Sequence, residues 1–406
     1  MRSPKSLLIT VMHLLSNIPN KQFKRDSQRL AFLLLLQIKC LWHNALGLGG
    51  SVAHPLIGRY TNLNISSEEF DVNRGLYASL IANELYKHSD KEWIVELETY
   101  HRYWYDLVVN PGEVADYFDT RQLIVNNLKR IKKEVEEHLE KRFVYFICSR
   151  ERVRFNTNKK PTFNPITGKT KLHLLVGEKA VKKSVKCTFV DVATRKVSKP
   201  DIQLTDKYIT FKDSTGYLTT YPIHDFLEQS EINLGIASRV EYVGYTKNPH
   251  TRPTNGSHTG LSDVLYQIAE EKRDSLIYFN VFKVTAQAVN TAMNVQFTVA
   301  NAMSNEVDAE LEGQILEKCF IFYFNSKNQT RNKEKERREL ENNLVKLSAD
   351  HKIKAIHVSY EFEVPNEYGV LSSSEIRPAI GHIFTVTNDS DGIVIKEGSE
   401  IFDELV

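Results

Sequence analysis

Arg239-Val-Glu-Tyr-Val-Gly-Tyr245, which runs on into Thr-Lys-Asn-Pro-His-Thr-Arg252, reads as a strand rich in β-branched and aromatic residues that ends in a proline-broken loop. Downstream, Gly260-Leu-Ser-Asp-Val-Leu-Tyr-Gln-Ile-Ala269 reads as a helix. Ser275-Leu-Ile-Tyr-Phe-Asn-Val-Phe-Lys-Val284 is apolar almost throughout, as expected of a central strand covered on both faces. Strand, helix and central strand in succession make residues 232–406 a domain of mixed α and β structure. Residues 306–324 and 328–347 read as further helices, the second with Leu340, Leu344 and Leu347 on one side. Lys354-Ala-Ile-His-Val-Ser-Tyr-Glu-Phe362 reads as a strand, and the tail from Asn388 as a strand pair or a frayed end.

Upstream the period changes. Residues 1–142 read as helical: leucines recur at helical spacing, Trp93, Leu97 and Tyr100 follow at intervals of four and three, and residues 121–142 alternate Lys/Arg with Glu around Leu123, Leu128, Ile131, Val135 and Leu139. Asp71-Val-Asn-Arg74 reads as a cap for a helix beginning near Leu76, and Asn110-Pro-Gly112 as a break. The tryptophans Trp42, Trp93 and Trp104 read as core. Residues 143–231 read as a small β-rich domain, with Phe143-Val-Tyr-Phe-Ile147 as its first strand and Asn164-Pro-Ile-Thr-Gly-Lys169 and Asp213-Ser-Thr-Gly216 as turns. The fold class expected is therefore α+β and multidomain: helical 1–142, basic and β-rich 143–231, and α/β with a central mixed sheet 232–406.

Composition removes several alternatives. A chain of 406 residues with 26% charged residues, 18 Gly and 12 Pro is globular, neither collagen-like nor disordered. Its four cysteines, Cys40, Cys148, Cys187 and Cys319, form no Cys-x-x-Cys pair, which argues against a zinc ribbon or thioredoxin-type site and points to a reducing, cytoplasmic setting. The apolar runs at 6–15 and 30–39 are too short to span a bilayer and read as buried helices, so no membrane partner is expected. Gly168-Lys-Thr170 lacks the upstream glycine of a phosphate-binding loop, and Gly47-Leu-Gly-Gly50 lacks the dinucleotide spacing.

The net charge of +2 hides an uneven distribution. Residues 141–200 hold 16 Lys+Arg against Glu151, Glu178 and Asp191, a net +13 that leaves −11 for the rest of the chain. Such a segment is the footprint of phosphate contact, because each neutralised phosphate releases condensed counterions. The residues expected to bind nucleic acid are Lys159, Lys160, Lys169, Lys171, Lys182 and Lys183, with Lys247 beside the Arg239–Tyr245 strand. A nucleic-acid partner follows, DNA ahead of RNA, and a protein partner is assigned to the N-terminal helical domain.

Three pieces of the last domain suit phosphodiester hydrolysis, which needs a base for water, a cation on the scissile phosphate and a carboxylate to hold it. They are Tyr242-Val-Gly244 with Arg252, His258 within Asn255-Gly-Ser-His-Thr-Gly260, and Glu317-Lys-Cys-Phe-Ile-Phe-Tyr-Phe-Asn-Ser-Lys-Asn328. Over residues 235–330 this arrangement resembles the GIY-YIG endonuclease superfamily. Tyr242-Val-Gly244 stands for the second half of the name motif, Arg252 for its arginine ten residues on, and Glu317 with Phe320-Ile321 and Phe324 for its glutamate-bearing helix. Asn328 or Gln329 falls where that helix often ends in asparagine. The first half of the motif is altered: Gly235-Ile-Ala237 has alanine for tyrosine, so either the first hairpin is shortened or another segment supplies the tyrosine, with Tyr217 and Tyr221 as candidates.

The resemblance implies a nuclease dependent on Mg²⁺ or Mn²⁺, with Tyr242, Arg252, His258 and Glu317 as catalytic residues and Glu317 as metal ligand, in a phage-defence or mobile-element role. The alternative is a nucleic-acid-binding or regulatory protein that keeps the scaffold without cleavage.

Overall fold

The computed structural model describes residues 74–402 apart from 110–119, 139, 192–193, 195, 213, 217, 252, 255–258, 291–294, 330–332, 391 and 400–401. The apolar runs at 6–15 and 30–39, Cys40, Trp42, the 47–50 glycines and the Asn110-Pro-Gly112 break lie outside those residues.

The fold is α+β. Its first described elements are the short helix α1 (Glu84–His88), capped by the Asn83 side chain, then β1 (Asp90–Trp104), α2 (Asp106–Val109), α3 (Thr120–His138) and β2 (Phe143–Glu151). Helix α3 is the amphipathic helix expected there, burying Ile124, Leu128, Ile131 and Val135. Strand β1 overturns the helical reading of residues 90–104. Lys91, Trp93 and Val95 are buried while Glu92, Ile94 and Glu96 are half-buried, a period of two. Pairing decides the matter, because β1 lies antiparallel to the 18-residue β11 (Arg273–Asn290) from Asp90 to Trp104, and ladder bonds of that length outweigh a local helical spacing.

Between β2 and β10 (Ser238–Thr246) the chain makes β3 (Val153–Phe155), β4 (Thr162–Asn164), β5 (Lys169–Val176) and β6 (Val181–Thr188), which form a four-stranded sheet. Then come β7 (Asp201–Leu204), β8 (Tyr208–Lys212) and β9 (Leu218–Pro222), a three-stranded sheet, and α4 (Ile223–Gln229). After β10 follow α5 (Thr259–Glu270), β11, β12 (Val295–Ala300), α6 (Asn301–Ser304), α7 (Ala309–Phe324), α8 (Lys333–His351), β13 (Ile353–Tyr360), β14 (Leu371–Ser372), β15 (His382–Asp389) and β16 (Gly392–Glu397).

One nine-stranded mixed sheet runs β14-β10-β2-β11-β1-β13-β15-β16, with β12 also on β11. It takes β1 from the segment expected to be helical and β2 from the segment expected to be a separate β-rich unit, so both boundaries drawn from sequence are crossed by ladder bonds. The reason is burial on both faces. In β2, residues 143–150 are all buried, and such a run needs a neighbour on each side, here β10 and β11. Over one face, Phe146, Phe282, Tyr360 and Phe384 meet Phe320 of α7 with ring centroids 5.0–5.9 Å apart.

Residues 152–237 thus form an insertion in the hairpin of β2 and β10. A buried polar cluster seats it on the sheet. Arg102 of β1 reaches Asp225 (2.9 Å) and Glu228 of α4, His224 shares a hydrogen bond with Asp274 (3.0 Å), and Arg150 pairs with Glu367. The guanidiniums of Arg102 and Arg150 both lie over the Tyr368 ring, 4.4 and 4.3 Å from its centroid. Burial pushes the His224 imidazole down to about 4, so it stands there as a neutral ring.

Candidate active site at the edge of the central sheet

Strand β10 is bulged between Val240 and Tyr242, and beyond the bulge Tyr242 lies opposite Ile147 and Gly244 opposite Tyr145 of β2. Directly opposed residues share a face, so the two phenols come together: the rings of Tyr145 and Tyr242 stack at 6.0 Å and 28°. Gly244 makes room for this, since a Cβ there would stand 2.6 Å from the Tyr145 hydroxyl oxygen. Tyr145 is buried and Tyr242 half-buried. The tyrosine beside Tyr-Val-Gly is therefore Tyr145. Gly235-Ile-Ala237 leads directly into β10, Tyr221 sits in the three-stranded sheet opposite Ile209, and Tyr217 lies outside the described residues.

The other edge of β10 is paired with β14 only at Ser238 and Arg239. An unpaired row of backbone donors and acceptors needs partners, and side chains supply them. Ser326 Oγ donates to the Glu241 carbonyl (2.7 Å), and Gln329 accepts from the Val243 N–H (2.8 Å) while donating to the Val243 carbonyl (2.7 Å). The Tyr245 N–H donates to Glu317 Oε1 (3.1 Å). Asn328 donates to Glu241 (2.8 Å), whose buried carboxylate also takes the Ser149 hydroxyl (2.6 Å) and Arg239. Both residues that were candidates for the helix-terminal amide thus hold β10.

Helix α7 is built to present Glu317. Asp308 caps its first turn by accepting from Glu310 and Leu311 N–H, and Asn325 ends it in the left-handed region at φ 46°. Ile315, Leu316, Cys319, Phe320 and Phe324 are buried, and Glu310, Gln314 and Glu317, spaced by four and three, make a polar stripe along β10. Tyr245 donates its hydroxyl to Glu310 (2.6 Å), to which Arg142 also donates (2.9 Å). Burial and then the Glu310 bond push the Tyr245 phenol up to about 12, so it stays protonated and serves as a donor. Tyr245 and Val243 face α7, and by alternation Tyr242 and Gly244 face the opposite side with Tyr145. Glu317 meets the strand at its edge, between the two faces.

Arg252 and His258, which fall between β10 and α5 in sequence, lie outside the described residues. Among the described residues no group of three or more His, Cys, Asp or Glu is placed to hold a metal ion. Glu317 could supply one carboxylate to Mg²⁺, which keeps water and takes one or two carboxylates plus substrate phosphate oxygens. Among the described cysteines, burial pushes the thiols of Cys187 and Cys319 up to about 12 and that of Cys148 up as well, away from the thiolate form.

Of the lysines, Lys159, Lys160, Lys169, Lys182 and Lys247 are exposed and Lys171 half-buried. Lys183 differs, pointing inward to donate to the Leu234 carbonyl (2.7 Å). Among the described residues no helix is long and apolar enough to cross a membrane. No family model, curated protein or solved structure matches the chain.

Proposed function

We propose that the chain is a divalent-metal-dependent nuclease of GIY-YIG type that hydrolyses phosphodiester bonds in DNA. The observation that carries this reading is the meeting of Tyr145 and Tyr242 across Gly244, with the Glu317 carboxylate at the edge of the same strand. A phosphodiester at that edge meets phenols from one face and the Glu317 carboxylate at the edge itself. Tyr242, the more exposed of the two, acts in its phenolate form as the base that takes the proton of the attacking water and becomes the phenol, with His258 as the second candidate base, while buried Tyr145 orients the Tyr242 ring. Arg252 neutralises charge on the scissile phosphate. Glu317 holds Mg²⁺ or Mn²⁺, which when bound supplies Lewis-acid stabilisation of the phosphate oxygens.

The second reading, a nucleic-acid-binding protein without cleavage, is favoured by one observation: Glu317 already serves as a partner for the Tyr245 N–H. Glu317→Gln separates the two. Glutamine keeps an oxygen to accept from Tyr245 and removes the charge. Incubation with plasmid DNA and Mg²⁺, Mn²⁺ or EDTA is expected to show metal-dependent cutting lost in Glu317→Gln, with DNA binding unchanged. Undiminished cutting by the variant sinks the role of Glu317, and binding without cutting by the parent chain under every metal establishes the second reading.

A further inference from the structure

We infer that the outer face of the four-stranded sheet docks double-stranded nucleic acid by its phosphates. This rests on the nucleic-acid half of the function proposed above and is independent of the hydrolytic half. The ladder of β5 and β6 sets Lys171 opposite Lys186 and Leu175 opposite Lys182. Burial alternates along β5, with Thr170, Leu172, Leu174 and Val176 inward, so Lys169, Lys171, His173 and Leu175 share the outer face. On β6 the outward residues Lys182, Ser184, Lys186 and Thr188 are all exposed.

Lysines two apart on a strand stand about 6.6 Å apart, and the row from Lys169 to the level of Lys182 runs about 20 Å, more than half a helical turn of B-form duplex. Among the described residues none of Lys169, Lys171, Lys182 and Lys186 has a carboxylate within ion-pair distance, although ion pairs are common elsewhere in the chain. Lys159, from the loop after β3, is tied to β5 through the backbone: its N–H donates to the Asn156 carbonyl (3.1 Å), and the Asn156 N–H to the His173 carbonyl (2.8 Å). Among the described residues the strands of this face present no Phe, Tyr or Trp, the side chains on which single-stranded bases stack. Phe163, opposite Thr170, is on the inner side. Cations without stacking platforms suit a ligand whose bases are already stacked on one another.

An anionic lipid surface shares the charge, and the test separates it. Binding is measured in EDTA, where hydrolysis does not enter, by fluorescence anisotropy of a duplex of about 20 base pairs (two helical turns) and of a single strand of the same length across a salt series. The duplex is expected to bind tighter than the strand. The slope of log K against log salt is expected to fall by roughly 3.6 in the Lys169→Ala, Lys171→Ala, Lys182→Ala, Lys186→Ala variant, at roughly 0.9 per phosphate contact. Lys171→Ala alone, expected to lower it by roughly 0.9, covers the case in which the fourfold variant fails to fold. An unchanged slope, or equal affinity for the single strand, overturns the inference. So does binding to phosphatidylserine vesicles without binding to duplex, a result that Ile166→Ser would abolish, because Ile166 is 93% exposed on the turn leading into Lys169.

Discussion

Strands β10 and β5 are both polar along one side, and the two polar sides do opposite things. On β10 the edge groups and the Glu241 carboxylate are met from within the molecule, by Ser326, Asn328, Gln329, Glu317, Ser149 and Arg239. On β5 and its neighbour β6, four lysines face solvent without carboxylate partners among the described residues. Internal satisfaction fixes geometry, because each group removed strands another in a partly buried place. An open row of like charge fixes nothing and raises the local potential for a polyanion instead. Substitutions around β10 and in the cluster that seats the insertion should therefore register as lost stability or lost geometry, and substitutions on β5 and β6 as lost binding.

The largest effect is expected where a deeply buried charge depends on an ionic partner. Arg150 is 1% exposed, pairs with Glu367, donates to the Ile236 carbonyl (2.6 Å) and lies over Tyr368. Arg150→Ala leaves the Glu367 carboxylate buried without its cation, which costs about 3–5 kcal/mol. Denaturant unfolding read by tryptophan fluorescence checks this, since Trp93 and Trp104 are both buried. A loss below about 1 kcal/mol would mean that water or a neighbouring group replaces the guanidinium, and that the insertion is seated by packing alone.

A smaller effect on stability, with a larger one on chemistry, is expected at Gly244. Its missing Cβ is what allows Tyr145 to lie across the strand, so Gly244→Ala must push the phenol aside. Overpacking of this kind costs about 1–3 kcal/mol. Cleavage should fall with kcat rather than KM, because the substitution displaces Tyr145 from Tyr242 without touching the basic face. A variant with full cleavage would remove Tyr145 from the site and return the question to Tyr242 alone.

The site was only partly legible in the sequence. Strand β10, α5, β11, α7, α8 and β13 follow from period and apolar content, and the candidacy of Glu317 from the resemblance of its helix. Tyr145 did not follow, because strand pairing is non-local: its partner Gly244 lies beyond the whole insertion of residues 152–237, and sequence proximity pointed to Tyr217 and Tyr221. The available signal was Phe143-Val-Tyr-Phe-Ile147, a strand too apolar to be an edge and therefore in need of two neighbours. In β1 the intervals between Trp93, Leu97 and Tyr100 imitate a helix, and the ladders with β11 and β13 show otherwise; the one with β11 slips between Leu97 and Thr99. The basic segment was legible by count, while its division into two faces needed the register of β5 and β6.

The finest test of the comparison uses two neighbours on β6. Lys182 is exposed opposite Leu175, whereas Lys183, opposite Leu174, turns inward and donates to the Leu234 carbonyl. They have the same charge and adjoining positions in sequence, and differ in the face they occupy. Lys182→Ala should leave stability within about 0.5 kcal/mol of the parent chain and lower the salt slope of duplex binding by roughly 0.9. Lys183→Ala should lower stability by about 1 kcal/mol, because the Leu234 carbonyl loses its donor, and leave the salt slope where it was. Parallel denaturant and anisotropy measurements on the two variants read both quantities. Equal slopes for the pair would show that charge in the segment acts at a distance rather than through the outer face, since alternation along β6 is all that separates the two ammonium groups.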